Sequence, residues 1–321
     1  MAATEAAPQP SAQEVVARER RAAPRAGLAA LAAAILVVVA GVAPQAIYSG
    51  SPRVYLLDAL RDAAGQDIGR AGLKTAEILF LDDKALSLLL VGIAQALAIL
   101  GIGYVLLFLL DAAMARGAAV AKITRMAVMF GAVAVAVANI GLQLAVMVRA
   151  HDFAGSSDHS TAAAHDVLNS GVVVAASGVG TIGSLSLAAG FVLVAIAAMR
   201  VGLLTRFTGI LGAIVGVLLV LGPALASSSS FIVQAFWLLM VGVLLLGRWP
   251  AGMPPAWTTG EARPWPSQQQ IAEQRARARA ARGGGKAPVG NGGRPADGGG
   301  DEPATPAPGP AAARKKKRKR R

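Results

Sequence analysis

All three histidines of this chain fall in one short stretch, HDFAGSSDHSTAAAHD, as His151, His159 and His165. Asp152, Asp158 and Asp166 stand directly beside them. Neutral imidazole and carboxylate are ligands for zinc and other first-row metals. If 158–166 is helical, Asp158 and His165 lie two turns apart on one face. His151, His159, His165 and Asp158 are therefore the candidate metal set, with proton sensing as the related chemistry. The spacing matches no zinc signature such as two His four apart with a Glu. The competing reading is a hydrophilic loop in which Asp158 or Ser160 caps an early helical turn.

A second kind of chemistry sits at the chain's end. Arg314, Lys315, Lys316, Lys317, Arg318, Lys319, Arg320 and Arg321 form an unbroken basic run. Each such charge near an anionic leaflet contributes ~1 kcal/mol. Phosphates of RNA or DNA would attract the run as well. No aromatics interleave it, so a nucleic-acid partner ranks below anionic phospholipid. A solvated tail is the plainer alternative.

Asn139 and Gln143 form a third group, four residues apart inside an apolar segment and so on one helical face. Small residues recur at the same spacing downstream: Ala176, Gly180, Ser184 and Ala188. Amide side chains beside such a smooth face either bond across a helix contact or line a substrate path.

Absent motifs restrict the function. Cysteine is missing, which removes disulfides, thiolate ligands and Cys nucleophiles. No P-loop, GxSxG or HExxH occurs. Gly178–Gly183 spells GxGxxG, but within an apolar helix with no strand before it. No charged residue sits deep in an apolar segment, where proton relays and ion-coupled pumps need one. The expectation is a protein that is not an enzyme and has no cofactor.

The elements that must position these residues are membrane helices. The chain has 321 residues, 55% of them hydrophobic, and a net charge of +13. About 20 apolar residues span the ~30 Å hydrocarbon layer. Six segments qualify: Gly27–Ile47, Ala85–Leu110, Met126–Val148, Ser170–Met199, Phe207–Ala226 and Phe231–Gly247. With the N-terminus inside, 25 of the 31 Lys and Arg fall on the cytoplasmic side. The fold expected is all-α, a polytopic transmembrane helix bundle of about six spans with a disordered basic C-terminal tail. Its first span reads as a retained signal anchor.

Around the bundle, residues 1–26 are expected to be a disordered cytoplasmic tail, and 27–247 the membrane domain. Its exterior loops are 48–84 and 149–169. In the first, Ser51-Pro52 opens a short helix carrying Val54, Leu57 and Leu60. Residues 248–282 read as a juxtamembrane piece with Trp249, Trp257 and Trp265 at the membrane interface, followed by a basic helix. Residues 283–321 read as disordered.

The turn Met199-Arg200-Val-Gly-Leu-Leu-Thr-Arg206-Phe-Thr-Gly209-Ile-Leu-Gly212 resembles the helix 4–5 turn of a family of small bacterial six-helix membrane proteins known as a domain of unknown function. Trp249–Trp265 is similar to the tail of its actinobacterial members. The resemblance implies a bacterial plasma membrane and this fold, and no activity. The functional expectation is an accessory or scaffold protein whose basic tail binds anionic lipid or an acidic partner, with a protein partner or a second copy of the chain beside it. A small-molecule permease without intramembrane charge comes second. An exterior metal or pH sensor comes third.

Overall fold

A computed structural model describes residues 11–52, 56–66, 73–224, 230–250, 252–265 and 268–283. The described residues are helical throughout, with turns between, and form no strand. The chain divides into two compact units, Met1–Trp265 and Pro266–Arg321. In the second, the described residues form one helix, Gln268–Gly283, whose side chains at 269–270 and 272–278 are exposed. The polybasic run 314–321 lies outside the described residues.

Six helices build the first unit: α1 (Ala12–Tyr48), α4 (Ala85–Ala115), α5 (Lys122–Ala154), α7 (Gly171–Arg200), α8 (Arg206–Ala224) and α9 (Ser230–Leu245). Between them stand the short α2 (Leu56–Ala63), α3 (Leu73–Asp83) and α6 (Thr161–Leu168), and α10 (Pro255–Thr259) follows α9. Each of the six long helices touches its neighbours in the order α1, α4, α5, α7, α8, α9 and back to α1. The result is a closed ring, with α4 and α7 also meeting across it. Four of the helices, α1, α4, α5 and α7, are long and apolar enough to cross a membrane. The apolar helices α8 and α9 are shorter, with 19 and 16 residues, or ~24–28 Å at 1.5 Å per residue.

Neighbours in the ring run antiparallel and approach through glycine. A Cβ on Gly101 of α4 would meet Ala33 of α1 at 3.0 Å, and one on Gly27 of α1 would meet Leu246 at 3.0 Å. The closest approach of backbone to backbone in the ring is between α5 and α7. There a Cβ on Gly131 would lie 2.5 Å from the Leu187 backbone nitrogen, and one on Gly190 2.6 Å from Val128. Small residues let backbones touch without water to drive the contact.

One end of the ring, called here the basic end, carries Arg18, Arg20, Arg116, Lys122, Arg125, Arg200, Arg206 and Arg248. The best-packed side chains lie toward it: Leu106, Leu109, Leu110, Phe191, Leu203, Leu204, Trp237 and Leu244 are fully buried. Trp237 holds three helices together. Its ring packs on Phe191 at 4.7 Å, and its indole N–H donates to the Thr208 carbonyl at 2.9 Å. At the opposite end the bundle loosens. From Gly171 to Ile182, no α7 residue is buried. A separate cap covers that end, where α3 and α6 gather Ile78, Leu81, Phe153 and Ala164 with Leu88 of α4. Large exposed apolar side chains such as Ile35, Leu97, Phe130, Ile182, Ile214 and Leu239 face outward on all six helices.

The expectation of disorder over 1–26 is corrected from Ser11 onward. Ser11 and Glu14 form a reciprocal capping box, Ser11 N–H to Glu14 Oε2 at 2.9 Å and Glu14 N–H to Ser11 Oγ at 3.4 Å. This satisfies the orphan donors of a helix start. From there α1 runs 37 residues without a break. Val15, Val16 and Glu19 are buried because the tail beyond α9 folds back over them.

Candidate functional site

The three histidines share the looser end but each has its own partner. His151, in the last turn of α5, pairs with Asp82 of α3 through Nδ1 and Oδ1 at 3.3 Å, largely in solvent. His159 donates through Nε2 to the Phe153 carbonyl at 3.2 Å, and its ring stands edge-on to Phe153 at 5.2 Å. Its own carbonyl accepts the Thr75 hydroxyl at 2.8 Å, which ties the two loops together. The His165 ring nitrogens lie 3.2 Å from Asn169 Nδ2, one turn on. Asp158 accepts the Ser160 N–H at 2.9 Å, and Ser160 in turn caps α6 by accepting from Ala163 N–H at 3.2 Å. The backbone N–H of Ser160, then its hydroxyl, hold the Asp158 carboxyl below its usual range. Among the described residues no three His, Asp or Glu come together as a metal would require. The structure does not assemble His151, His159, His165 and Asp158 into one site.

Asn139 and Gln143 part company in space. Gln143 turns to α4, where its Cγ lies 2.7 Å from the place a Gly92 Cβ would take. Asn139 faces α7 and lines a cavity of about 320 Å³ with Ser177, Thr181 and Ser184. Its amide nitrogen is buried with no hydrogen-bond partner. A smaller cavity of about 200 Å³ lies between α1, α4, α8 and α9, with Gln95 and Gln234 on its wall. The Gln234 amide nitrogen is likewise buried and unpartnered.

The densest chemistry is at the basic end. Arg116, the residue that ends α4, has a fully buried side chain and makes five hydrogen bonds. Its two terminal nitrogens grip both Glu19 oxygens at 2.6 Å. Nε and Nη2 donate to the Ala256 carbonyl at 3.0 and 2.8 Å, and Nη1 also reaches the Ala112 carbonyl at 2.8 Å. A guanidinium's planar fork suits two-pronged binding of this kind. The guanidinium carbon lies 5.4 Å from the centre of the Trp257 ring, which itself stacks on Phe108 at 6.0 Å and 9°.

Three parts of the chain are thus tied at one residue: the start of α1, the end of α4 and α10. The segment that carries α10 forms a strap across this end. Trp257 N–H donates to the Leu203 carbonyl and Trp265 N–H to the Leu204 carbonyl, each at 2.9 Å. Arg263 N–H donates to the Val201 carbonyl at 3.0 Å. These bonds take up the free carbonyls in the turn after α7, as a buried helix end requires. The strap lies so close that Gly202, at φ +81°, leaves only 2.1 Å between a would-be Cβ and the Arg263 carbonyl oxygen. Trp257 is therefore a buried anchor and not an interface residue. Beside the clamp, a third cavity of about 530 Å³ is edged by Arg18 and by the Asp111–Arg125 pair, bonded at 2.9 Å.

No family model, curated protein or solved structure matches this chain. The arrangement itself must carry the reading. Sequence inspection passed over Glu19 and Arg116, because each is one charge among many near an apolar segment. Two local signals bore on them. Ser11-Ala-Gln-Glu14 has the S-x-x-E spacing of a helix start, and Val15, Val16 and Glu19 then follow at helical spacing.

Proposed function

We propose that this chain is a non-enzymatic integral membrane protein with six spans, lying in a bacterial plasma membrane with both ends on the cytoplasmic side. It acts as an accessory or scaffold subunit that presents its basic tail to anionic phospholipid at the inner leaflet. The likeness of 199–212 and 249–265 to the six-helix bacterial family belongs to the same reading.

The observation that carries it is the strapped basic end. The ring closes only with α8 and α9 in place, so all six helices share one packing unit. The inter-helix ends that gather the arginines are the ends that face the cytoplasm under the positive-inside rule. The strap holds the chain against this face as far as Trp265, and the basic segments follow from that point. A closed base built from one Arg–Glu pair, three indole donors and close glycine contacts is suited to anchoring.

Two measurements test the reading. The chain lacks cysteine, so single cysteines report sidedness without background. In intact cells, Ser156→Cys is expected to react with an impermeant maleimide and Gln269→Cys is not; the reverse pattern overturns the orientation. Full-length protein in neutral nanodiscs is expected to bind phosphatidylglycerol vesicles and to lose that binding when Arg314–Arg321 is deleted. The effect falls with salt, because screening shortens to ~3 Å at 1 M. Equal binding to phosphatidylcholine vesicles refutes the tail's role.

A further inference from the structure

We propose that the cavity between α5, α7 and α8 is a binding site for an uncharged lipophile bearing a carbonyl oxygen. Its shape follows from the way α5 and α7 meet. They are in backbone contact along three turns, at Gly190 against Val128, Gly131 against Leu187, and Gly183 against Ala134 and Val135. One turn further the contact relaxes. A Cβ on Gly180 would meet only Ala138 Cβ, at 3.2 Å, and Gly178 and Gly141 have nothing within 4 Å. The helices open here as a wedge of about 320 Å³, closed on the third side by Leu219 of α8.

The wall has the polarity of a site for a hydrogen-bond acceptor. Asn139 brings an amide N–H2 that has no hydrogen-bond partner; it is shut off from solvent, so the side chain must turn toward the cavity for an acceptor oxygen to meet it. Leaving such a donor unmet costs ~1–3 kcal/mol, which an acceptor oxygen on a ligand would recover. Ser177 and Ser184 stand on the facing helix with hydroxyls able to donate to the same oxygen. Thr181 has spent its hydroxyl proton on the Ser177 carbonyl, at 2.9 Å. Among the described residues no ionisable side chain lines the cavity, so a charged ligand would be buried there without a counter-ion.

Size and access narrow the class further. The volume is at the low end of ligand pockets, which run ~300–1,000 Å³. It holds one ring or one ester group, not a whole two-chain lipid. Ser177 and Thr181 are exposed, so the mouth is on the α7 side. Ile182 and Leu185, both exposed, continue outward from it as an apolar surface along which a hydrocarbon tail can lie. A carbonyl on an apolar body has two sources in a membrane: the ring of an isoprenoid quinone, or the ester of a diacyl lipid.

The test uses full-length protein in nanodiscs of ether-linked phosphatidylcholine, which has no ester carbonyl. Decylbenzoquinone is titrated into these. In parallel, native mass spectrometry counts diacylglycerol, an uncharged ester lipid, retained per protomer. One saturable equivalent of either probe is expected, and which one binds names the source. Asn139→Leu is expected to weaken binding about two- to twelvefold, the worth of one hydrogen bond. The pair Ser177→Ala and Ser184→Ala acts on the facing wall and moves affinity the same way, which keeps the test decisive if Asn139→Leu does not fold. Gln234→Leu removes the other buried amide, in a separate cavity, and leaves binding unchanged. The site is refuted if wild-type protein holds neither probe stoichiometrically and the cavity contains water alone. It is equally refuted if folded wall variants bind as wild type does.

Discussion

Replacing Glu19 by Gln keeps the side chain's length and removes its charge. In the folded chain both Glu19 oxygens accept from Arg116 at 2.6 Å. A glutamine can offer only one acceptor there, and its NH2 would face a guanidinium N–H, donor against donor. Arg116 would then be a buried cation with no counter-ion, held by neutral acceptors such as the Ala256 and Ala112 carbonyls and by the Trp257 ring. Two unit charges ~4 Å apart attract by ~4 kcal/mol at an effective dielectric of ~20. Removing one partner of a buried pair costs ~3–5 kcal/mol in measured cases, and Glu19→Gln is expected to fall there. Arg116→Met should cost about as much, since it strands Glu19 and frees Ala256. The double variant Glu19→Met with Arg116→Met leaves no stranded charge and should recover at least ~2 kcal/mol of the summed loss. Denaturant titration in mild detergent measures all three, and iodide quenching of tryptophan tells whether the strap detaches first. Single variants within 1 kcal/mol of wild type, or strictly additive losses, would refute the clamp's role.

Three further outcomes follow from the backbone and the looser end. Gly202→Ala should destabilise more than Gly247→Ala. Both glycines have positive φ, which costs other residues ~1–2 kcal/mol, but only at Gly202 does a Cβ also strike backbone, the Arg263 carbonyl; thermal unfolding ranks the two. Gly131→Ala should force α5 and α7 apart, whereas Gly178→Ala meets open space and should gain up to ~1 kcal/mol of helix propensity, so opposite shifts in unfolding midpoint are expected. A carbon-detected NMR titration should place Asp158 below an ordinary exposed aspartate and move it upward in Ser160→Ala. Because folding lowers this pKa, the stabilisation it brings is present above the unfolded value and is lost as pH falls through the folded one.

The long apolar helices were legible because hydropathy needs only a local window, and nothing local contradicts it. Glu19 and Arg116 were not, because what defines them is each other and the Ala256 carbonyl, 97 and 140 residues from Arg116. The same limit applies to the tryptophans among prolines. Composition suits them to a membrane interface, but the turn at 201–204 has free carbonyls that their N–H groups meet, and only the fold brings the two together. Helical spacing correctly places Asn139 and Gln143 on one face. It cannot tell that α5 has a neighbour on each side of that face, so that one amide reaches α7 and the other α4. The histidine stretch errs the other way. Its residues are close in sequence, and the bend between α5 and α6 sends them to separate partners.

The clamp also sets an order of events during synthesis. Glu19 can meet Arg116 once the first two long helices lie side by side, yet the Ala256 carbonyl is made 140 residues after Arg116. At ~5–20 residues per second that interval is roughly 7–28 s. For that time the guanidinium has its carboxylate but not the carbonyl that completes its shell, and the turn at 201–204, once made, waits a further 54 and 61 residues for its two indole donors. The final tie forms only after α9 has emerged and the strap has folded back, so a chain that stalls or is cut before Trp257 keeps an open base. A protease acting at that base would thereby distinguish unfinished copies from finished ones without reading anything beyond residue 265.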